Sequence, residues 1–165
     1  MSIALASFSH EHLEPAANLL ADRHRSDRST APELPARYED ATAAATVLQE
    51  LMADDDMTGV AAFRGGRLAG YLLGAPVLGS PTDSWAGFLQ PRSAVMSLAG
   101  WATEPADSQN LSRVMYAALA ERWVANGIAA HYITLPAHAD SVEPWLDLGE
   151  RSQSVSGRAF LGNKV

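Results

Sequence analysis

TGVAAFRGGRLAGYLLGAPV, residues 58–77, sets two apolar runs on either side of Gly65 and Gly66. Such a link predicts a β-hairpin, because the tight two-residue turns need positive φ, which glycine adopts without strain. Downstream, residues 76–93 (PVLGSPTDSWAGFLQPRS) show no periodicity and exceed the loop length usual in compact domains. Residues 94–103 are apolar enough for a strand. After a turn at Pro105, Leu111, Met115, Leu119 and Trp123 recur every four residues, the stripe of a long helix that Asn126 and Gly127 stop. Residues 131–135 read as another strand. Asp140 and Glu143 have capping-box spacing for a last helix that contains Trp145 and Leu148 and ends at Gly149.

Upstream of the hairpin, residues 3–7 read as a short strand. Ser9 is placed to cap a helix with Phe8 and Leu13 as its hydrophobic staple. Leu13, Ala17 and Leu20 then line one face, and the pattern ends near Ser26. Pro15 is a cost in this helix and a candidate bend. Residues 26–36 form a polar, proline-bearing loop, and residues 38–53 an alanine-rich helix closed by Asp54, Asp55 and Asp56. The run RHRSDR, 23–28, reads first as a solvated helix end. His10, Glu11 and His12 look like a metal cluster, but neighbours at that spacing diverge on a helix.

With 165 residues and 47% hydrophobic content, the chain suits one domain with a core of its own. It has no cysteine, which removes disulfides, thiolate nucleophiles and cysteine-ligated metals. The net charge of -7 is the wrong sign for a phosphate-backbone binder, so nucleic acid is not an expected partner. No run of about 20 apolar residues is present to span a bilayer. The opening MSIALASFSHEHLEP lacks the basic region of a secretory signal, so the cytoplasm is the expected compartment.

The order of strand, two helices, hairpin, strand, helix, strand and helix resembles the GNAT acetyltransferase superfamily from about residue 3 to residue 149. The hairpin FRGGRLAGYLLG, the strand ending in ATEP, the helix closing at NG and the segment ADSVEPWLDLG carry the resemblance. It implies an α/β (α+β) fold, a mixed and mostly antiparallel sheet flanked by about four helices. It also implies acetyl transfer from acetyl-coenzyme A to an amine acceptor.

In that superfamily a basic residue or glutamine, followed by glycines, opens the helix after the fourth strand, so that pyrophosphate lies on bare amides. Here the motif would fall at 107–112 or 106–111, and neither register matches. Asp107 stands where a basic residue is expected and reads more simply as a helix cap. The cofactor would then rest on the backbone of Trp101, Ala102 and Thr103 and on Gln109, Asn110, Leu111 and Ser112. The superfamily's acid tyrosine falls on Trp145, whose indole cannot supply a proton, so core packing is the simpler role.

Glu104, just beyond the fourth strand, is the best-placed candidate base, and His131, which opens the fifth strand beside the cleft, is a second candidate; Tyr116 and His138 are further ones. Ordinary surface, core or strand-edge roles compete for each. Trp85 and Phe88 on the long loop are candidate interface anchors. The chain also resembles the glycine-poor first half of tandem GNAT proteins. That leaves two readings: an N-acetyltransferase with an atypical phosphate turn, or a catalytically degenerate module that binds a sister domain or forms a homodimer. In the second, a strand at 152–159 would serve the dimer contact or lie beside the strand that does.

Overall fold

Gly65 and Gly66 adopt φ of 58° and 79°, the left-handed pair that a type I′ turn requires. They join β2 (Thr58–Arg64) to β3 (Arg67–Val77), with a register shift at Ala62 and Phe63. The computed structural model describes residues 2–79, 89–136, 142 and 145. Within it, β1 (Ile3–Ser7) pairs antiparallel with β2, and β3 carries both β4 (Ser93–Met96) and β5 (Trp101–Thr103). β6 (Ala130–Ile133) runs parallel to β4, completing a six-stranded, mostly antiparallel sheet.

The strand expected at 94–103 is thus two strands. Residues 97–100 leave the ladder, because the Gly100 amide turns back to donate to the Ser97 carbonyl at 2.9 Å. A Cβ on Gly100 would lie 2.7 Å from the Leu73 carbonyl oxygen, so a glycine lets the backbones meet here. β4 stays with β6, while β5 follows β3 alone.

Alternating side chains feed two cores. Tyr71 and Leu73 pack with Phe8, Leu13, Leu20 and Leu48 beneath α1 (Leu13–Thr30) and α2 (Ala41–Met52). On the opposite face, Val60, Leu72 and Met96 pack against Leu111, Met115, Leu119 and Trp123 of α3 (Ser108–Ala125). These three are the α-helices whose full extent lies among the described residues. Of the expected last helix, only positions 142 and 145 are described, and both are helical.

Several boundaries differ from expectation for local reasons. Ser9 caps a short turn, His10–His12, which leads into α1, and its amide donates to His12 Nδ1 at 3.0 Å. Pro15 falls in the first turn of α1, where backbone amides have no helical partner, so it removes no helix bond. α1 continues to Thr30 because RHRSDR is held rather than solvated. His24 Nε2 bonds the Pro35 carbonyl, Arg25 donates to the Glu39 carbonyl, and Arg28 donates to the Leu34 carbonyl and pairs with Glu39. α2 begins at Ala41, because Asp40 accepts from the amides of Thr42 and Ala43 at 2.9 and 3.0 Å.

Candidate functional site

The cleft lies where β5 diverges from β4 and β6, and its backbone acceptors are already engaged. The Met96 carbonyl accepts from the Thr134 amide, Ser97 from the Gly100 amide, and Gly100 from the Leu73 amide. Tyr71 Oη donates to the Ala99 carbonyl at 2.8 Å. Arg23, reaching across from α1, donates to the carbonyls of Leu98 and Trp101. Every carbonyl from Met96 to Trp101 therefore has a donor from this chain.

The gap itself is filled by rings. Arg23 Cζ sits 4.3 Å from the centre of the Trp101 ring. Trp145 meets the same ring at 5.7 Å, edge-on. Trp101 Nε1 donates to the Thr134 carbonyl at 3.3 Å, which ties β5 to the end of β6. Trp145 is 3% exposed and also packs on Tyr116, the core role expected for it.

Arg23 is itself buried, with Asp27 Oδ2 3.3 Å from its Nε. Burial pushes the guanidinium pKa down, while Tyr71 and Asp27 raise it. Burial also raises the Tyr71 pKa, keeping its hydroxyl a neutral donor.

At the start of α3 the hairpin supplies what the local sequence lacks. Arg64 pairs with Asp107 and lies 3.7 Å from Glu104, and Arg67 also pairs with Glu104. Asp107 is the residue before the helix, as expected, but its side chain caps no amide. It turns to Arg64 instead and accepts from Asn110 Nδ2 at 3.3 Å. Thr103 Oγ1 donates to Ser108 Oγ at 2.8 Å, and Leu111 and Ser112 are fully buried in the first turns of α3. The basic groups at this turn come from the β2–β3 hairpin, 40 or so residues away in sequence, a relation that no local motif could signal.

Glu104 and His131 belong to separate clusters. Glu104 is held by its two arginines, whereas His131 Nδ1 lies 2.9 Å from Tyr116 Oη and its ring lies 5.0 Å from that of Trp123. Among the described residues, His131 Nε2 and Trp145 Nε1 are buried and have no hydrogen-bond partner. Ala102 is buried on the β3 ladder opposite Tyr71, and Trp101 and Thr103 flank it. Gln109 begins α3 beside Ser108. His138, Trp85, Phe88 and 152–159 lie outside the described residues. Among the described residues, no three metal-ligating side chains converge, and His12 packs on Phe8 and Phe63. None of the described helices is long and apolar enough to cross a membrane.

The fold as a whole, sheet and helices together, recurs in solved structures. The chain has the GNAT acetyltransferase fold. A GCN5-related N-acetyltransferase from Ralstonia eutropha JMP134 superposes with a TM-score of 0.66 at 14% identity, over 96% of this chain and 97% of its own. Aminoglycoside N-acetyltransferase AAC(6')-Iy in complex with CoA gives 0.62 at 16% identity, over 99% and 95%. A transcriptional regulator from Bacillus halodurans C-125 gives 0.63 at 18% identity, over 96% and 99%. No protein-family model and no curated protein matches the sequence. At these identities the GNAT likeness concerns the fold, and function has to be argued from the cleft.

Proposed function

We propose that this chain is a GNAT-fold module that does not take acetyl-coenzyme A and serves as a binding or dimerisation domain. The observation that carries this reading is the run of engaged carbonyls from Met96 to Trp101. A pantetheine arm lying along a strand needs acceptors for its amide N–H groups, and here each would have to share or displace an internal donor already in place. A pyrophosphate needs bare amides and positive charge at a helix start. The start of α3 instead presents Asp107, Ser108 and Gln109, each with a Cβ, and its arginine is neutralised by Asp107. The residues present do not fit the cofactor. Solved structures sharing this fold include acetyltransferases and a transcriptional regulator, so the fold leaves both roles open.

Calorimetric titration with acetyl-coenzyme A tests the proposal. No saturable heat is expected. A dissociation constant tighter than about 100 μM, or about 5.5 kcal/mol, would overturn it.

The second reading, an N-acetyltransferase acting on an amine, rests on the Tyr116–His131 pair, a proton donor and acceptor 2.9 Å apart beside the cleft. It requires cofactor binding, and loss of turnover in His131→Ala with binding retained.

A further inference from the structure

β1 ends the sheet, and among the described residues its one strand neighbour is β2. The Phe8 amide donates to the Gly59 carbonyl at 3.0 Å, continuing the register one step beyond Ser7 and Val60. Hydrogen-bonded and non-bonded pairs alternate in an antiparallel ladder. Phe8, Ala6 and Ala4 therefore turn their backbone groups toward β2, and Ile3, Leu5 and Ser7 turn theirs outward.

Edges of this kind are commonly blunted by lysine, proline or a bulge. Ser2 to Ser9 read SIALASFS, with neither charge nor proline, and Leu5 is 42% exposed. The β1–β2 register runs without a shift. Among the described residues this is an unguarded strand edge with an apolar side chain at its centre.

We infer that the edge pairs antiparallel with the same edge of a second copy, about a two-fold axis at Leu5. That register sets Leu5 against Leu5, Ala4 against Ala6 and Ile3 against Ser7, so small faces small and leucine covers leucine. The outward groups of Ile3, Leu5 and Ser7 then form about six hydrogen bonds. A second copy suits this edge because the register is self-complementary and because the strand itself brings no charge of either sign to the contact. Two-fold closure uses up the β1 edge of both copies, so assembly through this edge stops at the dimer. The inference is independent of whether the cleft binds a cofactor.

The experiment is sedimentation equilibrium of the full chain and of Leu5→Pro, with amide hydrogen exchange on the wild type. Proline at position 5 removes an outward N–H and no bond to β2. The wild type should be a dimer at micromolar concentration, and Leu5→Pro should dissociate at least about tenfold more readily. Amides of Ile3, Leu5 and Ser7 should exchange slowly in the dimer and quickly on dilution. A wild-type monomer at about 100 μM would overturn the inference, even with a protected Leu5 amide, since a segment of the same chain would then cover the edge. So would a dimer whose Leu5 amide exchanges freely. If Leu5→Pro fails to fold, the wild-type exchange pattern decides alone.

Discussion

Arg23 stacks on the Trp101 indole, 4.3 Å from Cζ to ring centre, and donates to the carbonyl of the same residue. One α1 side chain thus holds both the ring that fills the cleft and the strand that borders it. Its other nitrogens reach the Leu98 carbonyl and Asp27, whose side chain is 4% exposed.

Arg23→Ala should therefore be severe. It leaves two carbonyls without their donor and removes the buried cation beside the Asp27 carboxylate, and breaking such a pair costs about 3–5 kcal/mol. Arg23→Lys should recover only part of this, because an ammonium cannot reproduce the guanidinium fork. Urea unfolding of both variants measures the effect, and a loss under about 1 kcal/mol for alanine would refute the role assigned to Arg23.

Asp107→Gly removes the carboxylate at the start of α3 and supplies a glycine there. Acetyl-coenzyme A should still not bind, because Trp101, Trp145 and the engaged carbonyls remain. The lost pair with Arg64 is partly exposed and should cost no more than about 1 kcal/mol. Calorimetry and a thermal melt on the variant check both statements, and saturable cofactor binding would contradict the first.

Gly65→Ala and Gly66→Ala should each destabilise by about 1 kcal/mol. An added Cβ at either position meets no atom within 4 Å, so the loss comes from left-handed backbone alone. Asn at either site should cost less than Ala, since asparagine tolerates that region better. Equal losses for Asn and Ala in denaturant titration would point to some other cause.

The Asp40 pKa is lowered chiefly by the Ala43 amide. Its folded value lies below the unfolded one, near 3.9, so its contribution is present above that value and fades as pH falls through the folded pKa. Asp40→Ala should be less stable than wild type at pH 7, and the gap should close in acid. Asp40→Asn, which keeps a capping oxygen, should stay near wild type at neutral pH. Melting curves of all three across pH 2–7 provide the comparison, using about the range over which carboxylates titrate.

Local chemistry determined the hairpin, because Gly65 and Gly66 alone supply the two positive φ angles its turn needs, and it marked the stripe of α3 and the start of the first helical turn at Ser9. The missing glycines and the indole at Trp145 were equally legible, since each is a property of one side chain. Tertiary structure alone decided what occupies the cleft. Arg23 read as part of a solvated charge run until α1 packed on the sheet and brought it to the Leu98 and Trp101 carbonyls, and Asp107 read as a cap until the hairpin placed Arg64 beside it. Hydrogen bonds and ion pairs depend on distance in space, and residues more than 40 positions apart have no periodicity in common through which a sequence could announce that they meet.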